Sequence, residues 1–264
     1  MKAAGTLTLK ENRRLADTLF LATFAVEAAH RPLLAGVRAG QFLMLRCDPS
    51  DPWRFRRPFS FVGVNPEAGE LSIYYRAVGD QTRKLASTLA GTQLPALFPL
   101  GNTFTAPEKG EQAVLVAGGI GVAPLLMLAA ELAASGHPLP RLYFGARCEP
   151  ELTRGYVEQF PAEIHFATDD GSHGHHGTVV ELLKADGLPT EARVYACGPK
   201  AMLRALKASL PREQRVEASL EEVMACGLGA CYGCAVRTDG LGADEMKLVC
   251  RDGPVFNLHR VVFD

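Results

Sequence analysis

The strongest constraint on this chain lies near its end, in Cys226-Gly227-Leu228-Gly229-Ala230-Cys231-Tyr232-Gly233-Cys234, with Cys250 following after fifteen intervening residues. Four of the seven cysteines fall in that segment, in a C-x4-C-x2-C…C spacing interleaved with Gly227, Gly229 and Gly233. Thiolates on a loop enclose a compact metal centre only if the backbone curls around them. Glycine permits the curl by accepting positive φ and by leaving its N–H bare towards the sulfurs. The spacing is that of plant-type [2Fe–2S] ligands. A zinc ribbon more often offers two short C-x2-C knuckles, and here there is one. A disulfide framework suits a secreted chain better than one of cytosolic character. The cluster is the favoured reading, with zinc and structural or unpaired thiols as the alternatives. A one-electron centre needs a supply of electrons, so a redox cofactor site is expected upstream.

Composition narrows the classes. Charge is nearly balanced, 28 Lys+Arg against 29 Asp+Glu with no basic block, which argues against nucleic acid as a partner. Apolar residues make up 47%, yet no uninterrupted run approaches the roughly 20 residues of a membrane span. The beginning, Met1-Lys2-Ala3-Ala4-Gly5 followed by alternating Leu7 and Leu9, lacks the form of a signal peptide. A soluble, cytoplasmic protein is the expectation. Cys47, Cys148 and Cys197 are scattered and read as small buried apolar residues.

From Thr6 to about Phe104 short strands are broken by Gly and Pro, as in Thr18–Val26, Phe42–Cys47, Phe59–Val64 and Leu71–Ala77. Such spacing predicts an antiparallel barrel. After Gly40-Gln41-Phe42, the run Arg57-Pro58-Phe59-Ser60 sets an arginine three residues before a serine. An arginine there can fork onto a diphosphate, and a serine hydroxyl can bond a flavin ring nitrogen. Alone, R-x-x-S is more often a surface arginine and a strand serine. Downstream stand Tyr74-Tyr75-Arg76, Gln81-Thr82 and Phe98-Pro99-Leu100-Gly101-Asn102. The whole arrangement resembles the flavin domain of the ferredoxin–NAD(P)⁺ reductase superfamily. The resemblance implies FAD, with Arg57 on its pyrophosphate, Ser60 against the flavin, and Phe59 or Tyr75 stacked on the ring. Phe59 lacks the hydroxyl of the usual tyrosine. Gln81 replaces the usual glycine, so the backbone approach to a phosphate at Gln81 and Thr82 is expected to be looser.

Ala113–Ala117 is an apolar run of strand length that passes into Gly118-Gly119-Ile120-Gly121-Val122-Ala123-Pro124 and a helical Leu125–Ala134. The glycines allow a tight strand-to-helix turn, the helix N-terminus offers N–H groups to a phosphate, and Pro124 suits a first helical turn. Strands at Arg141–Gly145, Glu163–Ala167 and Val194–Ala196 alternate with helices at Pro150–Phe160, Thr178–Lys184 and Lys200–Leu210. The alternation predicts a doubly wound parallel α/β sheet. Its ligand crevice is expected where Gly118–Pro124, Thr168–Gly171 and Cys197–Pro199 converge. G-G-x-G-x-x-P together with Cys197-Gly198-Pro199 resembles the nicotinamide half of the same superfamily, which implies that this second turn faces the nicotinamide. Arg147 is the one candidate for a 2′-phosphate, and NAD is favoured over NADP. His173, His175 and His176 tempt a metal reading, but a polar glycine-rich loop beside the crevice is the simpler one. No residue is assigned to catalysis, since hydride transfer between cofactors needs alignment rather than an acid–base pair.

Arg215–Ser219 reads as a last strand. After Cys234 a short strand, Ala235–Arg237, and a turn through Asp239-Gly240-Leu241-Gly242 return the chain to Cys250 and Arg251-Asp252-Gly253-Pro254-Val255-Phe256. A flavin barrel, a nucleotide domain and this ending resemble, over essentially the whole chain, the electron-transfer subunit of NAD-dependent (class 1B) dihydroorotate dehydrogenase. The division expected is an FAD-binding barrel over residues 1–106, an NAD-binding α/β domain over 107–217 and a [2Fe–2S] domain over 218–264. The resemblance implies that Cys226, Cys231, Cys234 and Cys250 ligate the cluster. It further implies a heterotetramer, two of each chain, with an FMN-containing catalytic subunit, and electrons flowing from dihydroorotate through cluster and FAD to NAD⁺ in pyrimidine biosynthesis. The competing readings are a related ferredoxin or sulfide oxidoreductase subunit, a lone NADH-oxidising reductase, and a zinc or scaffold protein that kept the fold.

Overall fold

The computed structural model describes residues 2–51, 54–189, 191–240 and 244–263. Leu241 and Gly242, expected in a turn, lie outside the described residues.

Six strands close the barrel: β1 (Ala3–Arg14), β2 (Leu19–Val26), β3 (Phe42–Leu45), β4 (Arg57–Asn65), β5 (Glu70–Arg76) and β6 (Gln93–Leu100), in the order β1-β2-β5-β4-β3-β6. Alternation explains most of β2, where Ala22, Phe24 and Val26 are buried, with Leu19 buried out of phase at its start. The first and last strands are not among those the pattern marks out. β1 carries a register shift between Leu9 and Glu11, and β6 contains Pro95 and Pro99, so neither shows a clean period of two. A short helix, α1 (Asp80–Ala86), follows β5.

The second sheet is built from β7 (Gln112–Gly118), β8 (Arg141–Ala146), β9 (Glu163–Thr168), the short β10 (His175–His176), β11 (Ala192–Cys197) and β12 (Val216–Ser219). These six are parallel in the order β10-β9-β8-β7-β11-β12, which bears out the doubly wound expectation. β7 is buried on both faces, as a central parallel strand should be. Its helices are α2 (Val122–Ala134), α4 (Val179–Asp186) and α5 (Lys200–Ser209). The helix expected over Pro150–Phe160 is not continuous: one 3-10 turn (Glu149–Leu152) is followed by α3 (Arg154–Val157). Between them Thr153 adopts φ 43° while its hydroxyl meets the Tyr74 hydroxyl at 3.1 Å. A left-handed threonine ends a helix.

The rest of the chain forms a three-stranded sheet, β13 (Ala235–Asp239), β14 (Asp244–Leu248) and β16 (Val261–Val262), with Cys250 in the turn α6 (Val249–Asp252). One further strand, β15 (Val255–Asn257), leaves this lobe and pairs antiparallel with β12, so the second sheet is mixed at that edge. Two apolar cores join the parts. One runs from the barrel interior through α2 into β7 and β8; the other links the far face of the sheet to Met44, Met224, Cys234 and Cys250. α2 sits between barrel and sheet, and its Glu131 carboxylate accepts the Ala39 N–H of the barrel at 2.9 Å.

Candidate redox site

Two cavities meet at the junction of barrel and sheet. The first, about 620 Å³, lies on the outer barrel face and is lined by Phe42, Pro58, Phe59, Ser60, Tyr74, Tyr75 and Arg76, opposite Ile120, Glu221 and Pro254. Among the expected flavin residues, those from Pro58 to Ser60 and from Tyr74 to Arg76 are therefore brought together. Tyr75 is anchored: its hydroxyl donates to Asn12 at 3.0 Å, its ring stacks on Phe20 at 5.5 Å, and it meets Phe59 edge-on at 5.9 Å. Burial pushes the Tyr75 and Tyr74 phenols well above their ordinary range, so both stay protonated. Arg57, Gln81 and Thr82 do not line this cavity. Arg57 points to the other face of β4, beside the buried Cys47 thiol. Thr82 closes the entry to α1, its hydroxyl accepting the N–H groups of Val78 and Gly79 at 3.0 and 3.1 Å. Gln81 is buried, and its Oε1 has no partner among the described residues, an acceptor that suits a hydroxyl-bearing ligand.

The second cavity, about 490 Å³, opens at the C-terminal ends of the parallel strands. Arg76, Gly118, Gly119, Ile120, Arg147, Glu151, Asp169, Pro199 and Glu221 are among its lining residues. The three glycines of the turn divide their work. A Cβ on Gly121 would lie 2.3 Å from the Cys197 carbonyl oxygen, and one on Gly118 would lie 2.7 Å from Met202 Sδ, so these two permit packing. Gly119, at φ 53°, faces open space, with Arg76 Nη2 the nearest atom at 3.9 Å. Bare backbone at a strand-to-helix turn is the feature that accepts a diphosphate. Gly198 packs against Gly118, whereas Pro124 is buried within α2. The Cys197 thiol, also buried, donates to Glu221 Oε1 at 4.0 Å; burial, then Glu221, raises it well above the ordinary thiol range. Glu221 keeps accessible surface along the cleft, but protein surrounds its carboxyl, and desolvation raises it above the usual range.

Sequence reasoning missed Glu151, the charge that ties the two halves. Its carboxylate takes Arg76 in a two-pronged pair, Nη1–Oε1 2.8 Å and Nη2–Oε2 3.1 Å, and also binds Arg147. Hydrogen bonds from Arg76 and then Arg147 lower its carboxyl to about 2. Arg147, the candidate for a 2′-phosphate, is thus already engaged. The histidine loop makes no metal group among the described residues. Thr168 folds it by bonding both the N–H and the carbonyl of His173, and β10 adds it to the sheet edge.

The four cysteines of the C-terminal loop come together as two pairs. Cys234 and Cys250 stand with sulfurs 3.3 Å apart, and the Cys250 N–H donates to Cys234 Sγ at 3.5 Å. Cys226 interacts with the Cys231 thiol and accepts the Leu228 N–H at 3.4 Å. Burial raises the Cys226 thiol, but bonds from Leu228, Cys231 and Ala230 outweigh it and bring it down to about 6. Burial, then Cys234, pushes Cys250 up to about 12. Gly227 at φ 69° and Gly229 at φ 85° make the curl, with Tyr232 also left-handed at φ 57°. No group of three ligands closes on a single metal ion among the described residues. Two thiol pairs are the donor set that two irons require, two per iron, and suit a [2Fe–2S] core better than one tetrahedral zinc.

The comparisons agree with this architecture. Residues 221–262 match the family described as the iron-sulfur cluster binding domain of dihydroorotate dehydrogenase B, and residues 115–208 match the oxidoreductase NAD-binding domain. The chain is 38% identical over 260 residues to the dihydroorotate dehydrogenase B (NAD(+)) electron transfer subunit of Bacillus caldolyticus, covering 97% of both chains. It is 38% identical over 226 residues to that of Shouchella clausii, covering 84% of this chain and 86% of the other. Among solved structures, that of an NADH-dependent reduced ferredoxin-NADP oxidoreductase, reported for flavin-based electron bifurcation, superposes with a TM-score of 0.83. It is 25% identical, over 97% of this chain and 89% of that one.

Proposed function

The chain belongs to the family of dihydroorotate dehydrogenase B electron transfer subunits, and we propose that it carries electrons from an FMN-containing catalytic subunit, which oxidises dihydroorotate, to NAD⁺ in pyrimidine biosynthesis. The observation that carries this reading is the shared wall of the two cavities, in which Arg76, Ile120 and Glu221 belong to both, with the cysteine loop packed behind the first. When bound, the cluster supplies one-electron chemistry, and FAD joins it to the two-electron reduction of NAD⁺.

The residues then divide as follows. Cys226 and Cys231 hold one iron, Cys234 and Cys250 the other. Pro58, Phe59, Ser60, Tyr74 and Tyr75 shape the flavin ring site, while Arg57, with Gln81 and Thr82 at the entry to α1, takes the FAD diphosphate arm at the barrel end. Gly118, Gly119 and Gly121, with Pro124 in the first turn of α2, form the NAD diphosphate turn, and Arg76, held by Glu151, borders it. Cys197, Gly198 and Pro199 border the nicotinamide. Cys197 is buried on the sheet side of the crossing point, while Glu221 stays accessible along it. Residues 1–106, 107–217 and 218–264 correspond to the FAD, NAD and cluster units of a cytoplasmic heterotetramer. No helix among the described residues is long and apolar enough to cross a membrane.

The test is dihydroorotate-dependent NAD⁺ reduction by the complex recovered from its host with a tag on this chain. Activity together with an FMN-bearing partner is the expected result. NAD(P)H-driven reduction of ferredoxin or a sulfur compound, with no response to dihydroorotate, would move the function to a sister system.

A further inference from the structure

On the outer barrel face, Phe42 and Met44 of β3 pair with Ser60 and Pro58 of β4. Phe42, Pro58 and Ser60 line the first cavity, and Met44 packs on the cysteine loop, since a Cβ on Gly227 would lie 2.6 Å from its Cγ. Leu45 pairs with Arg57, so the next step of the ladder sets Arg46 opposite Arg56. Arg46 remains extended, its N–H donating to the Pro95 carbonyl at 2.9 Å. By strand alternation both side chains leave on the face of Met44 and Pro58, about 7 Å along the strand from the contact with the cysteine loop at ~3.3 Å per residue.

Two like charges opposite one another on a ladder oppose folding. Burial, and then Arg46 itself, lower the Arg56 guanidinium. The Nε atoms of both arginines are buried without a hydrogen-bond partner among the described residues, and the carboxylates of the intervening loop are engaged elsewhere, Asp48 with Ser50 and Asp51 with Arg54. Such a pair is suited to an anion. Arg57, proposed for the FAD diphosphate, leaves on the opposite face of β4, towards Cys47. The cysteine loop, which meets Met44 through Gly227, exposes Leu228 (52%) and Tyr232 (62%). Apolar side chains flanking arginine anchors are the composition of a protein interface.

We propose that Arg46 and Arg56 form a docking site for a surface carboxylate of the FMN-bearing catalytic subunit, beside the cysteine loop. The proposal rests on the functional reading above, because a subunit that delivers electrons to this loop must come close to it.

The test compares the FAD- and iron-loaded wild-type chain with the Arg46→Gln/Arg56→Gln variant in binding to the purified catalytic subunit at low and moderate salt. The expected result is at least a tenfold weaker Kd and a flatter salt dependence, with FAD and iron contents unchanged. The Arg46→Lys/Arg56→Lys variant, which keeps the charge, should bind more tightly than the double glutamine variant. Equal Kd values for wild type and the glutamine variant would overturn the proposal. Loss of FAD at unchanged Kd would overturn it as well and give the pair to the FAD diphosphate. A wild-type chain that does not bind the catalytic subunit would overturn the functional reading and this proposal together.

Discussion

Asn102 grips Val255 at both ends: its Oδ1 accepts the Val255 N–H at 2.9 Å and its Nδ2 donates to the Val255 carbonyl at 2.8 Å. The Asn102 N–H adds a bond to the Gly253 carbonyl at 2.7 Å. The barrel rim thus holds the turn that follows Cys250, and the residue before Asn102 is fitted to it. Gly101 has φ 80°, and a Cβ there would lie 2.5 Å from Pro254 Cδ. Asn102→Ala removes three part-buried side-chain hydrogen bonds, the third from Nδ2 to the Asp252 carbonyl at 3.3 Å, and strands their backbone partners, a loss of about 2–4 kcal/mol. The variant should melt lower and release iron faster on mild heating. Unchanged melting and iron release would mean that β15 alone holds the turn.

Local placement dictated by short spacing was legible in the sequence. The cysteine run, Arg57–Ser60, and Gly118–Pro124 each placed their residues on the loop or strand expected, because a tight turn has few solutions. Relations across the chain were not. Nothing local to Phe98–Asn102 says that Asn102 serves the lobe of Cys250. Nothing local to Glu149–Leu152 says that Glu151 will meet Arg76 of the barrel. The broken helix at Thr153 has the same origin, a tertiary bond to Tyr74 overriding a helical pattern. β15 was invisible as a sheet strand because its partner, β12, precedes the whole cysteine loop.

The pairing of thiols makes the ligand assignment testable one cysteine at a time. Cys231→Ser leaves one iron with a single thiolate and should lose most of its iron and the visible absorption of the cluster while keeping FAD. Cys148→Ser, outside both pairs, should keep both cofactors. Iron analysis and absorption spectra decide the matter, and full iron content in the Cys231 variant would defeat the assignment.

Arg57 makes no ion pair among the described residues, although it is half-buried at the barrel end. A guanidinium so placed is suited to a diphosphate. Arg57→Ala should therefore purify with markedly less FAD, and Arg57→Lys should restore part of it. Flavin at full stoichiometry in the alanine variant would place the diphosphate elsewhere.

Glu151 links acidity to the joint between barrel and sheet. Its carboxyl lies at about 2 in the folded chain, below its ordinary 4.5, because Arg76 and then Arg147 bond to the charged form. A carboxyl depressed in this way contributes stability that is complete above its unfolded value and is lost as pH falls towards the folded one. The contribution should thus be full at pH 6 and decline between about 4.5 and 2. Glu151→Gln cannot titrate and lacks the pair with Arg76, so it should melt below the wild type at neutral pH. The gap should narrow as the solution is acidified below pH 4.5, where the wild type loses its own charge. Thermal unfolding of both proteins across that range measures it. A gap that stays constant with pH would show that the Arg76–Glu151 bond does not depend on the carboxylate charge.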